Sequence, residues 1–244
     1  MNDGIPIPAV QTRALLRERY DHMWSTAIGV IRAGSIELDP MLAAGLPDRR
    51  RGLTLIIRPS LDVRQRVAAF IDSLRVLEPE QHYYTPTELH LTVLSLFTAT
   101  DQPEPFLARR KNYVAAVAAA LRGIAPFPVE FVGVTASSSA IMIQGFAEGD
   151  ALNTLRNILR RQLQALGLGH ELDGRYRLET AHVTIARFRS RLRDGARLAL
   201  ALQGTRTQAF GATCVRSVSL VENDWYMSKG VTETLKRFRL IRPV

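Results

Sequence analysis

Two short stretches of this chain carry an imidazole and a hydroxyl at the same spacing: Leu89-His90-Leu91-Thr92-Val93 and Ala181-His182-Val183-Thr184-Ile185. The apolar and β-branched residues around each favour strands, and along a strand successive side chains point to opposite faces. His90 and Thr92 then share one face with Leu91 and Val93 behind them, and His182 and Thr184 share one face with Val183 and Ile185 behind. Two such strands brought together make a cleft holding two histidines and two hydroxyls. That set suits phosphodiester chemistry. A neutral imidazole takes a proton from water, an imidazolium gives one to the leaving oxygen, and an unperturbed pKa of about 6.5 lets histidine do both. Threonine hydroxyls donate to non-bridging phosphate oxygens as charge develops on them. No metal is required where a strained ring ester already supplies the attack geometry. One His-x-Thr in a strand means little, but these two copies use two of the five histidines and fall at equivalent places in a repeated pattern.

That pattern runs from residue 52 to the end. A strand at residues 53–57, closed by Pro59, precedes a helix at 61–77 with Val63, Val67, Phe70, Ile71 and Leu74 on one face. The first motif strand, 89–97, leads to an alanine-rich helix at 106–121 and a strand at 127–135, and Ser137-Ser138-Ser139 makes a turn. A strand at 141–146 follows, then a helix on Leu152, Leu155, Leu159, Leu163 and Leu166 that stops at Gly167. The second motif strand, 182–188, a helix at 192–202, a long strand at 210–221 and a last strand at 232–240 complete the chain. Each half thus reads strand, helix, His-containing strand, helix, strand, a repeat of pattern with little residue identity. The same order also fits a parallel α/β sheet, against which stands the lack of a glycine-rich loop after the first strand. Residues 1–50 differ. Leu16, Tyr20, Met23, Ala27 and Val30 form a helical stripe, broken by Gly34, Pro40, Gly45 and Pro47, and Arg49-Arg50-Arg51 reads as a solvated loop. The division expected is a helical extension over 1–50 packed on a main body over 51–244.

At the two motifs the sequence resembles the 2H phosphoesterase superfamily, which includes bacterial RNA 2′,3′-cyclic phosphodiesterases also described as 2′-5′ RNA ligases. The family pattern of His, apolar, Thr or Ser, apolar occurs twice and both copies are intact, with the resemblance spanning about residues 52–244. It implies an α+β fold of two pseudo-symmetric lobes, each an antiparallel sheet backed by helices, with the catalytic cleft between them. It also implies metal-independent opening of 2′,3′-cyclic phosphates on nucleotides or RNA ends, without a cofactor, by His90, His182, Thr92 and Thr184. The same resemblance makes His182 the base and His90 the acid. The alternatives are a 2′-5′ RNA ligase, in which a ribose hydroxyl replaces water, and a non-catalytic nucleotide-binding module.

Other side chains near the motifs can bind substrate. Tyr83 and Tyr84 precede the first motif strand, and Trp225 and Tyr226 follow the long strand in a turn-like stretch. Aromatic rings stack nucleobases; Tyr84 and Tyr226 are the choices, Tyr226 because the long strand should run beside the second motif strand. Arg175, Arg177, Arg187 and Arg189 surround the second motif. Arg177, in the preceding loop, can reach a phosphate, whereas regular alternation sends Arg187 to the face opposite His182 unless a bulge intervenes. His22, His82 and His170 belong to no pattern, although His82 lies close to the tyrosine pair.

Bulk properties agree with this. A net charge of +9 suits a polyanionic partner. No apolar run approaches the roughly 18–20 residues of a membrane span, and Arg13, Arg17 and Arg19 interrupt any signal-peptide core. The lone cysteine, Cys214, suits a reducing, cytoplasmic setting and reads as a small core residue. GxSxG, HExxH, P-loop and GxGxxG motifs are absent, so no other nucleophile or metal site competes.

Overall fold

A computed structural model describes residues 13–173 and 177–242. Its helices are α1 (Arg13–Arg32), α2 (Pro40–Ala43), α3 (Leu61–Leu77), α4 (Glu104–Leu107), α5 (Arg110–Ala120), α6 (Ala151–Ala165) and α7 (Gly195–Gly204). Its strands are β1 (Arg51–Ile57), β2 (His82–Tyr83), β3 (Leu91–Thr100), β4 (Phe127–Ala136), β5 (Ala140–Ala147), β6 (Val183–Arg187), β7 (Ala209–Val215), β8 (Ser217–Asn223) and β9 (Glu233–Arg239). All strand pairs are antiparallel, which removes the parallel-sheet alternative.

The strands run in the order β7-β4-β5-β6-β3-β1-β8-β9, with β2 added beside β6. The two lobes, β7-β4-β5-β6 and β3-β1-β8-β9, meet through one pair, Leu91 with Val183. Helices α5 and α6 pack behind the lobe of β3 and β9, whereas α3 packs behind the lobe of β6 and β7 and α7 packs against α1 and α3. Both ladders bury apolar faces against these helices: Leu53, Leu55 and Ile57 from β1, Val129 and Phe131 from β4, and Leu155, Leu159 and Leu163 from α6 are fully buried.

The repeated halves of the sequence are not the two lobes. Strand β4 closes the first half of the pattern but pairs with β5 and β7 in the second lobe. Strands β8 and β9, from the end of the chain, complete the lobe of β1 and β3. The expected single strand over 210–221 is two strands separated at Arg216, because its halves belong to different lobes. The alanine-rich helix also divides, into α4 and α5 with a break at residues 108–109. Cys214 faces solvent: β7 is the edge strand, and its neighbours Thr213 and Val215 are the residues turned inward, Thr213 accepting from Ser60 N.

Helix α1 packs against β4, β5 and α7. It buries Leu16, Tyr20, Ala27 and Ile31, with Met23 and Val30 only partly covered. Tyr20 meets Phe146 edge-on at 5.5 Å between ring centroids. Phe146 shares a face of β5 with Met142 and Ala140, so α1 lies on the cleft side of that sheet. Covered on both sides, β5 is apolar along almost its whole length and buried from Ala140 to Phe146.

Candidate active site

The Leu91–Val183 pair decides the geometry of the site. In an antiparallel ladder, residues flanking a pair oppose one another crosswise, so His90 falls opposite Thr184 and Thr92 opposite His182. The two histidines sit at the last positions before β3 and β6 begin, one on each side of the Leu91–Val183 pair. His90, Thr92, His182 and Thr184 all line one cleft of about 870 Å³ between the lobes, a size that suits a nucleotide-scale ligand.

Each imidazole is held by its Nδ1, which leaves Nε2 for the cleft. Nδ1 of His90 is 2.7 Å from the carbonyl oxygen of Glu88. A carbonyl can only accept, so this nitrogen carries a proton and donates it. Nδ1 of His182 is 2.7 Å from the hydroxyl of Thr180, a partner that can donate or accept.

Burial holds both imidazoles far below the usual histidine range, at about 4. For His90 the Glu88 carbonyl works in the opposite direction, the Arg58 and Arg187 charges lower it further, and the Glu88 carboxylate raises it. For His182 every influence lowers: burial first, then Arg156, His90 and Arg187. The two rings thus reach the same low range by different routes, and His90 alone has neighbours that favour its charged form.

Arg156 is fully buried in α6. Its guanidinium donates to the carbonyls of Val93, Thr92 and Thr180, each at 2.8 Å, tying the first motif to the segment that enters the second. One turn on, Arg160 makes a two-point ion pair with Asp173 and braces the same incoming loop. Burying a guanidinium is tolerable only with partners of this kind. The signal in the sequence was the spacing: Arg156 stands four residues after Leu152 and three before Leu159, on the buried stripe of the helix.

Arg187 lines the cleft, a residue that regular alternation sends to the other face. Strand β6 carries one extra residue against β5: Thr184 opposes Met142, but Ala186 opposes Ile141 and Arg187 opposes Ala140. The bulge at Ile185 shifts the alternation by one and returns Arg187 to the side of Met142 and Ala140. Its Nε donates to the Tyr84 hydroxyl at 2.9 Å.

Tyr84 also lines the cleft, its ring edge-on to His90 at 6.5 Å. Arg177 lines it too and donates to Asn157 Oδ1 at 3.0 Å. Tyr226 does not reach the cleft. It is buried, its hydroxyl bonds the Asp39 carboxylate at 2.6 Å, and its ring backs the Arg187 guanidinium at 5.9 Å. The expectation failed because β8 pairs with β1 and β9, never with the second motif strand. The turn after β8 presents Trp225 and Met227 instead, and Asp224 Oδ1 fixes that turn by accepting from Tyr226 N and Ser228 N. Arg175 lies outside the described residues, and Arg189 is exposed, donating to the Glu80 carbonyl. His82 packs edge-on against Tyr84 and tilted against Tyr226. His22 lines the cleft from α1 beside Glu18, Arg19 and Met23, so the N-terminal helix forms one wall.

Among the described residues no three His, Cys, Asp or Glu side chains lie close enough together to hold a metal ion, and no helix is long and apolar enough to cross a membrane.

The same architecture recurs in solved structures. TT0787 of Thermus thermophilus matches with a TM-score of 0.57 at 21% identity, over 78% of this chain and 97% of that one. A structure described as a phosphoesterase matches with 0.54 at 17%, over 79% and 99%. Apo E. coli LigT matches with 0.53 at 17%, over 80% and 100%. At these identities the likeness shows the α+β fold alone. Comparison with curated protein sequences gives no match. The sequence model of the 2′-5′ RNA ligase superfamily matches residues 63–224, well over half of the chain and both motifs. The protein belongs to that superfamily, the 2H phosphoesterases.

Proposed function

We propose that this protein is a metal-independent phosphodiesterase that opens 2′,3′-cyclic phosphates of nucleotides or RNA ends. The observation that carries the reading is that His90, Thr92, His182 and Thr184, with Arg187, line one cleft. A phosphate bound there meets two Nε2 atoms, two hydroxyls and one guanidinium. His182, whose neighbours Arg156, Arg187 and His90 all oppose a positive charge, is the base and takes a proton from water. The water oxygen bonds to phosphorus and the P–O bond to one ribose oxygen breaks. His90, whose Nδ1–H bond to the Glu88 carbonyl favours the imidazolium, gives its Nε2 proton to that leaving oxygen. Thr92, Thr184 and Arg187 stabilise charge on the non-bridging oxygens. The E. coli LigT structure that holds 3′-AMP, similar in fold with a TM-score of 0.51, supports a nucleotide as the ligand class.

The test is initial rates on a 2′,3′-cyclic nucleotide from pH 3.5 to 9, with and without EDTA. Turnover unaffected by EDTA is expected; a rate abolished by chelation and restored by Mn²⁺ or Zn²⁺ sinks the mechanism. One ring must be charged and the other neutral, so the rate falls above the upper limb as the acid loses its proton. It falls below the lower limb as the base gains one. Protein groups alone bring both rings to about 4, so kcat/KM, which reports the free enzyme, has its limbs on the acid side of the ordinary histidine value. A bound phosphate anion favours the imidazolium, so the kcat bell lies at higher pH than the kcat/KM bell. The limbs belong to the pair and not to either ring.

A further inference from the structure

The segment that delivers His182 is not part of a ladder: β6 begins at Val183. Residues 179–182 are instead held one by one, and two of the holds come from α1. Glu179 is ion-paired to Arg19 of α1. The Thr180 carbonyl accepts from Arg156 of α6. The Ala181 N–H donates to the Tyr20 hydroxyl at 2.9 Å. His182 Nδ1 is bonded to the Thr180 hydroxyl.

Tyr20 is the centre of this arrangement. It is fully buried, and burial raises its pKa so that the phenol stays protonated. Its hydroxyl donates to the Gly145 carbonyl at 3.1 Å and accepts from Gly145 N at 3.3 Å as well as from Ala181 N. The phenol therefore replaces the ladder partner that Ala181 would have if β6 began earlier, and it meets the Ala181 N–H, the Gly145 N–H and the Gly145 carbonyl at once. Close approach makes this possible: a Cβ at Gly145 would lie 2.0 Å from the Ala181 carbonyl oxygen. The matched superfamily region begins at residue 63, so α1 adds this hold from outside it.

We infer that α1 is a working part of the site, in which Tyr20 and Arg19 act as positioning residues that fix residues 179–182 and thereby aim the His182 imidazole into the cleft. The inference rests on the reading of His182 as a proton-transfer residue. Misplacement by about 1 Å through a distant change can cost on the order of 100-fold in rate, so loss of one hold has a measurable effect.

The decisive variant is Tyr20→Phe, which keeps the ring against Phe146 and removes only the hydroxyl. It is expected to lower kcat about 10-fold or more with little change in KM, measured well below its melting temperature. In ¹⁵N spectra the His182 ring signals should shift while those of His90 stay in place, a selectivity that general loosening would not produce. A folded Tyr20→Phe protein with parental kcat and unchanged His182 signals overturns the inference. Should that variant not fold, the part-exposed Arg19–Glu179 pair decides. Arg19→Glu should lower kcat several-fold and move the His182 signals, and Arg19→Glu with Glu179→Arg should restore both; no effect, or no recovery on the swap, overturns the inference. Retained activity in His182→Ala would instead refute the chemical reading, while the His182 signals in Tyr20→Phe would still report on the hold.

Discussion

The two motifs share one His-x-Thr pattern and have quite different support. His90 is held locally, by a backbone carbonyl two residues away. His182 is held through a side chain, Thr180, whose own segment depends on α6 and α1, far away in sequence. The charges differ as well: a carboxylate and a carbonyl of Glu88 on one side, the Arg156 guanidinium on the other. A repeated motif thus supplies two similar functional groups, and the unrepeated surroundings give each a different set of partners.

The largest effects test whether both groups do chemistry at all. His90→Ala and His182→Ala should each lower kcat by about 10²–10⁴-fold with melting transitions preserved. Collapse of folding in both variants would return the histidines to a packing role. A smaller effect separates the two supports. Thr180→Val removes the hydroxyl that orients His182 and leaves the carbonyl that Arg156 grips, so kcat should fall about 10-fold and the base-side limb should move. Equal perturbation of the His90 ring signals would show that the motifs are not independently held. The smallest effect is on stability. Both rings titrate at about 4 in the folded chain and at about 6.5 unfolded. The unfolded state therefore binds more protons between those values, and the contribution to stability is complete above about pH 6.5 and lost as pH falls towards 4. Urea midpoints across that window should decline in the parent and decline less in His182→Gln.

The parts legible in the sequence were those written in local pattern. Alternation placed His90 with Thr92 and His182 with Thr184, and helical spacing found α3 and α6 within a residue or two. The failures have a common physical origin in pairing between distant strands. Regular alternation misplaces Arg187 because a bulge leaves no mark in the composition of Val183-Thr184-Ile185-Ala186-Arg187. The expectation for Tyr226 depends on a neighbour that β8 does not have. Cys214 looked apolar enough for the core, but an edge strand turned Thr213 and Val215 inward in its place. Helical spacing puts Tyr20 on the apolar stripe of α1, yet only its partners reveal what its hydroxyl does. Arg156 could have been found, since a cation on an otherwise leucine-rich stripe demands a buried acceptor.

The exchange of strands between the halves also bears on how the molecule is made. Strand β1 is made long before its partner β8, as Gly52 paired with Asn223 illustrates. Such pairings close large loops and form slowly. The lobe of β3, β1, β8 and β9 therefore waits, with one edge of β1 uncovered, until β8 has been made. By contrast β4, β5, β6 and β7 emerge close together. Severing the chain at residues 137–139 would strand β1 and β3 from β8 and β9, and β4 from β5 and β7, so neither fragment could seal a core alone. The pair would regain the cleft only by assembling on one another.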